Sequence, residues 1–311
     1  MRLLSFRSDD GQIHVGVLRD SNVIDLTIWL SRHRSRVAID MLQLIHMGEQ
    51  GLAYVKAALD TSSDDLGVEG ALVPLDLDNL TAPIPRPAKN IFCLGRNYAE
   101  HAAESRFAFG ENPQASGKAP QYPTIFTKSP TTVLGPYESI PFDPAVMGSL
   151  DWEAELALVI GKAGKNIKRE DAMPYVFGYT VLNDLSARDI QGRHGGQFFK
   201  GKSLDGTCPM GPWIVTPDEI GDPNRLEIFT RVNGLEKQHD NTGSMLLDVV
   251  TILEALSLGM TLEPGDIVAT GTPAGVGHAR TPPEFLRPGD TVECEIEKIG
   301  AIKNIVREIE A

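Results

Sequence analysis

The chain has 311 residues and a formal net charge of −13, with a sequence pI of about 5.0, a balance that argues against nucleic acid or an anionic membrane as partner. Its 41% hydrophobic and 23% charged residues are those of a globular protein long enough for one large domain and a small one. There is no run near the roughly 20 apolar residues of a bilayer span, no secretory signal in Met1 to Ser8, and Cys93, Cys208 and Cys294 are too sparse for a disulfide framework, so a reducing cytoplasm is expected.

Residues 1 to 80 read as a small module. Leu3 to Phe6 and Ile13 to Leu18 have the pattern of short strands around the turn Ser8-Asp9-Asp10-Gly11, and Asp20-Ser21-Asn22 leads into another at Val23 to Leu26. Helical spacing follows, with Ala38, Met41, Leu42 and Ile45 on one stripe and Leu52, Val55 and Leu59 on another. His14, His33 and His46 stand singly and carry no ligand spacing. The prolines of Ala82-Pro83-Ile84-Pro85-Arg86-Pro87 make residues 81 to 87 a stiff connector, where the domain boundary is set.

Beyond the connector, Asn90 to Leu94 reads as a buried strand, and a helical pattern begins at Tyr98 with His101 and Glu104 three apart on one face. Surface helices carry such pairs freely, so this pair alone decides nothing. Residues 105 to 123, rich in Gly, Pro, Ser and Gln, lack periodicity and are a disordered insert or a functional lid. Leu150 to Gly161 then alternates strictly. Trp152, Ala154, Leu156, Leu158 and Ile160 share one face of a strand, while Asp151, Glu153, Glu155, Ala157 and Val159 share the other. An E-x-E pair on a strand commonly faces water. Here Ala157 and Val159 continue its face into an interior, and two carboxylates brought to about 4 Å repel by ~4 kcal/mol at an effective dielectric near 20, so the pair calls for a cation. Oxygen donors suit Mg²⁺, Mn²⁺ or Ca²⁺ rather than zinc.

Tyr175 to Leu182 is a further strand, after which Ser186 is read as a helix N-cap. That puts Asp184, either a ligand or an ordinary loop acid, at a strand-to-helix junction, with Arg188 and Gln191 on the helix's first turn. Gly196 to Ser203 matches the P-loop pattern, but it lacks the preceding buried strand and following helix, so the match is accidental. Pro264-Gly265 and Pro288-Gly289 are type II turns that each launch a strand. Asp266 to Thr270 runs into Gly271-Thr272-Pro273-Ala274-Gly275-Val276-Gly277, a tight turn or a loop presenting N–H groups to an anion.

Together these segments resemble the fumarylacetoacetate hydrolase family. Gly95-Arg96-Asn97-Tyr98…His101…Glu104, Glu153-Ala154-Glu155-Leu156, Asp184…Arg188-Asp189…Gln191, Lys202-Ser203 and Thr270-Gly271-Thr272-Pro273…Gly275-Val276-Gly277 occur in the family's order, from about residue 88 to the C-terminus. The resemblance implies a mixed α/β, mostly β fold: a rolled sheet or barrel as catalytic domain over 88–311, a small α+β domain over 1–80, and a homodimer. It implies Glu153, Glu155 and Asp184 as ligands of Mg²⁺ or Mn²⁺, with Arg96-Asn97 where larger eukaryotic members add a fourth acid. His101 matches the general base and Glu104 its orienting partner, with Lys202 catalytic or substrate-binding. Arg188, Gln191, Gly271 and Thr272 match substrate contacts.

The expected substrate is a small 2-keto or 2,4-diketo acid. The expected reaction is hydrolysis of an acylpyruvate C–C bond to pyruvate and a carboxylic acid, His101 activating water. Similar scaffolds host oxaloacetate decarboxylases and 2-hydroxyhepta-2,4-diene-1,7-dioate isomerases. The base pair favours hydrolysis, which alone needs an activated water. A non-catalytic small-molecule-binding dimer is the alternative of another class, and the full set of acids, base and lysine argues against it.

Overall fold

A computed structural model describes residues 1–33, 39–108, 122–194 and 197–309, with the backbone alone at 106–108. Most of the irregular segment 105 to 123, and the Gly195-Gly196 pair, lie outside the described residues.

The Ala154–Ile160 strand is buried along its whole length and divides the molecule into two cores. Leu156, Leu158 and Ile160 enter one, with Ile228, Val292 and Ile302 of a five-stranded sheet and Ile252 and Leu253 of the Val249–Ser257 helix. Ala157 and Val159 enter the other, with Leu3, Val15, Leu30, Ile45 and Ile214. The strict alternation of the sequence thus serves two apolar interiors, and only the residues at the strand's start carry charge. On one side it pairs with Val176–Asn183, on the other with Ile267–Ala269, which runs parallel to Ile91–Gly95. Gly265 and Gly289 hold positive φ values of 86° and 95° in the two Pro-Gly turns, as type II geometry requires.

In the N-terminal region, strands Arg2–Arg7, Ile13–Arg19 and Asn22–Asp25 pair antiparallel. Helices Met41–His46 and Glu49–Asp60 carry Met41, Leu42 and Ile45 of the first apolar stripe and the whole of the second, Ala38 lying outside the described residues. The Leu26–His33 helix, which buries Leu26, Trp29 and Leu30 on one face, starts where Asp25 Oδ1 accepts the Ile28 N–H at 3.0 Å. Arg2–Arg7 also pairs with Cys208–Val215, Leu3 standing opposite Ile214, so these strands extend the large sheet. The connector is not a free tether: Thr81 to Ile84 are buried, and Ser5 donates its hydroxyl to the Pro83 carbonyl at 2.8 Å.

The large sheet has 12 strands and, among the described residues, does not close. Its terminal strands, Leu72–Pro74 and Thr124–Lys128, each have one neighbour. The fold is mixed and mostly β as expected, but the barrel alternative is corrected: the N-terminal strands lengthen one edge rather than letting it meet the other. Among the described residues, no helix is long and apolar enough to cross a membrane.

Candidate active site

Strand register builds the acidic cluster. Ala154 stands opposite Asn183 and Glu155 opposite Leu182. Asp184, one residue past its strand, therefore falls beside Glu153 and donates its N–H to the Glu153 carbonyl at 2.8 Å. From the other neighbour comes Gly271, whose N–H donates to Glu155 Oε2 at 2.7 Å. Ligand atoms of Glu153, Glu155 and Asp184 all lie within 4.8 Å of one another, and the three side chains are buried.

Their surroundings differ. Lys202 Nζ bridges Glu153 Oε2 at 2.7 Å and Asp184 Oδ2 at 2.6 Å. Burial alone would pull that ammonium's pKa down, but Asp184 and Glu153 outweigh it and push it up. Burial would likewise raise Glu153, yet Lys202 and then Arg188 hold it below the usual carboxylate range. Glu155 has no cationic side chain bonded to it among the described residues. Burial, then the charges of Asp184 and Glu153, drive it well above its ordinary value. Asp184 Oδ1 stands 2.9 Å from Lys128 Nζ without accepting a hydrogen bond. A divalent cation among these groups would supply the charge Glu155 lacks, and an all-carboxylate donor set fits Mg²⁺ or Mn²⁺.

His101 and Glu104 lie on the Ala99–Ala108 helix, and His101 Nδ1 is 2.9 Å from Glu104 Oε1. The carboxylate accepts a hydrogen bond from Nδ1–H, which leaves Nε2 as the nitrogen able to accept a proton. His101 lines one cleft with Glu153, Glu155, Arg188, Gln191, Lys202 and Thr272. Arg96 enters its rim from a left-handed backbone, φ 58°, a conformation non-glycine residues adopt where surrounding structure enforces it. Arg188 donates to Glu153 Oε1 at 2.6 Å and to Gln191 Oε1 at 3.3 Å, so the two predicted neighbours do face together.

One detail departs from the sequence reading. Ser186 is not a helix cap; it pairs in a short bridge opposite Asp151, and its hydroxyl donates to the Asp184 carbonyl at 3.0 Å. The N–H of Gly271 donates to Glu155 Oε2. The glycine loop does present its N–H groups to anions, but to the protein's own: Gly271 to Glu155, Gly275 to Glu104, and Gly277 to Asp151 at 2.6 Å.

Three residues of the site escaped sequence reasoning. Lys128 is fully buried, between Asp184 and the Leu185 carbonyl, 3.1 Å away. Asn97 donates to the carbonyls of Leu247 and Thr270, at 3.0 and 2.8 Å, pinning the turn before the helix. Asp151 accepts from Arg188 Nε at 2.8 Å and from the His278 N–H at 3.0 Å. Asp151 left a signal, since it continues the face of Glu153 and Glu155, and Asn97 stands in the Gly95-Arg96-Asn97-Tyr98 segment of the family resemblance; Lys128 left none.

Residues 90–307 match the family described as fumarylacetoacetate (FAA) hydrolase, C-terminal. The chain is 45% identical, over 267 residues covering 85% of each protein, to an oxaloacetate tautomerase of Bacillus subtilis (strain 168). Among solved structures, a fumarylacetoacetate hydrolase from the psychrophilic Exiguobacterium antarcticum superposes with TM-score 0.79 at 37% identity, covering 99% of this chain and 100% of that one. A maleylpyruvate hydrolase from Sphingobium sp. SYK-6, in complex with manganese (II) ion and pyruvate, superposes with TM-score 0.74 at 30% identity, covering 100% of both chains.

Proposed function

This chain belongs to the fumarylacetoacetate hydrolase family, and from that premise we propose that it is a divalent-metal-dependent enzyme interconverting the enol and keto forms of a small 2-oxo dicarboxylic acid such as oxaloacetate. The observation that carries this reading is His101, paired with Glu104, lining one cleft with Glu153 and Glu155, two members of a cluster of three buried carboxylates. Tautomerisation needs one proton moved between carbon and oxygen and a stabilised enolate between the two. Nε2 of His101 is the atom suited to exchange the C3 proton, with Glu104 holding the ring and offsetting its charge when protonated. Lys202 and Arg188 place fixed positive charge beside the anionic substrate, and Thr272 and Gln191 offer polar contacts. Glu153, Glu155 and Asp184 would hold Mg²⁺ or Mn²⁺, which when bound supplies a Lewis acid for the substrate's oxygens.

Acylpyruvate hydrolysis, first on sequence alone, is the second reading. It needs the same base to activate a water, and the 30% identical neighbour is a maleylpyruvate hydrolase. The 45% identity to an oxaloacetate tautomerase puts enol–keto chemistry ahead of it. The deciding experiment gives the protein enol-oxaloacetate and, separately, an acylpyruvate panel, after EDTA and after return of Mn²⁺. The expected outcome is fast metal-dependent loss of enol absorbance and slower pyruvate release, with His101→Ala lowering the former by about 10²–10⁴-fold. Parental rates from EDTA-treated protein, or from His101→Ala, would refute the proposal.

A further inference from the structure

Gln238 lies on the Leu235–Asn241 strand of the second sheet, outside every segment that carried the family resemblance, and is only 1% exposed. Its side-chain amide is fully bonded. Oε1 is 3.2 Å from the Ala154 N–H nitrogen and 2.7 Å from the Thr230 hydroxyl. Nε2 is 2.8 Å from Thr272 Oγ1 and 2.7 Å from the Pro273 carbonyl oxygen. Two of these partners admit one role each: a backbone N–H only donates, and a carbonyl only accepts. They fix the amide with its oxygen towards Ala154 and its NH₂ towards Pro273, with no freedom to flip.

One amide hydrogen goes to Pro273, so the other goes to Thr272 Oγ1, which acts there as acceptor. The hydrogen of the Thr272 hydroxyl is then turned away from Gln238, and Thr272 Oγ1 makes no other side-chain hydrogen bond among the described residues. Thr272 is itself buried and lines the cleft with His101, Glu155 and Lys202. We infer that Gln238 is a positioning residue: by donating to Thr272 it commits that hydroxyl to donate to an anionic oxygen, carboxylate or enolate, of the bound 2-oxo acid. A neutral amide behind the hydroxyl thus turns an ambivalent group into a fixed donor. The inference rests on the reading of the cleft as a 2-oxo acid site.

A double-mutant cycle tests it. Thr272→Val removes the hydroxyl at similar size. Gln238→Glu keeps the shape, but its carboxylate accepts from Thr272 and draws the hydrogen away from the cleft. In Mn²⁺-loaded protein, each single variant is expected to lower kcat/KM for enol-oxaloacetate by about 10-fold or more, the scale of a hydrogen bond to a charged group. The double variant should be no worse than Thr272→Val alone, because the hydroxyl is already lost to the substrate. Gln238→Met, which removes the donor without a buried charge, repeats the cycle if Gln238→Glu does not fold. Losses that multiply, or a Gln238 variant with parental kcat/KM, would overturn the inference. Oxalate affinity, titrated calorimetrically in the same proteins, reads the same hydrogen bond without turnover. If the parent fails to turn over enol-oxaloacetate, the reaction assignment falls, and the oxalate cycle alone decides for or against Gln238.

Discussion

Gly275 donates its N–H to both carboxylate oxygens of Glu104, at 3.1 and 3.0 Å, so the loop that ends the Ile267–Ala269 strand fixes the acid that orients His101. The sequence separation is 171 residues, yet the link is one backbone hydrogen. Only glycine fits there. Its φ is +104°, and a Cβ would stand 2.2 Å from the Lys237 carbonyl oxygen. Gly275→Ala must therefore shift the loop and release Glu104. The expected result is a fall in kcat towards that of Glu104→Ala, with Mn²⁺ affinity kept within several-fold because Glu153, Glu155 and Asp184 stand on other segments. Parallel kcat and metal-binding measurements on the two variants check it; parental kcat in Gly275→Ala would show that Glu104 needs no such support.

How much of this was legible in the sequence follows from which interactions are local. The alternation around Glu153 and Glu155 marks a strand with both acids on one face, and the register of its neighbour adds Asp184. His101 and Glu104 are readable because helical spacing is local too. Lys128 is not: on the Thr124–Lys128 edge strand nothing nearby separates a lysine that turns inward from one in water. Asn97 and Gln238 act through partners more than 30 residues away, Asn97 on Leu247 and Gln238 on Thr272. Ser186 was misread because its local pattern fits a cap equally well; the pairing of Ser186–Ala187 with Leu150–Asp151 prevails.

Lys128 allows a test of Asp184 that does not depend on catalysis. Its ammonium is fully buried, 2.9 Å from Asp184 Oδ1. Removing one partner of a buried pair typically costs about 3–5 kcal/mol where the other charge is left uncompensated, and here Lys202 Nζ, 2.6 Å from Asp184 Oδ2, still offsets part of that charge. Lys128→Met should accordingly lower the melting temperature of the chelated protein. A divalent cation bound by Asp184 would restore the missing charge, so Mn²⁺ should raise the melting temperature of the variant more than that of the parent. Calorimetric scans of both proteins, with EDTA and with Mn²⁺, measure the two increments. Equal increments would argue that Asp184 does not hold the metal.

The boundary near residue 81 can be tested by removing what precedes it. A self-sufficient catalytic domain over 88–311 should fold when residues 1–80 and the connector 81–87 are deleted. The sheet predicts otherwise. Deletion takes Arg2–Arg7 away from Cys208–Val215, leaving that strand's backbone without its partner at Ile214 and Val215. It also strips Leu3, Val15, Leu30 and Ile45 from a core they share with Ala157, Val159 and Ile214, each of these seven being nearly inaccessible in the whole chain. Burying one such large apolar side chain is worth about 1.5–3 kcal/mol, and a bare strand edge beside an apolar face is a template for aggregation. The 88–311 fragment is therefore expected to be insoluble, or to bind a hydrophobic dye and unfold without a cooperative transition. Soluble yield, dye binding and a thermal scan of the fragment beside the full chain provide the comparison. A soluble fragment that melts cooperatively and retains Mn²⁺ binding would instead establish residues 1–80 as a dispensable domain and the shared core as a contact between two folded units.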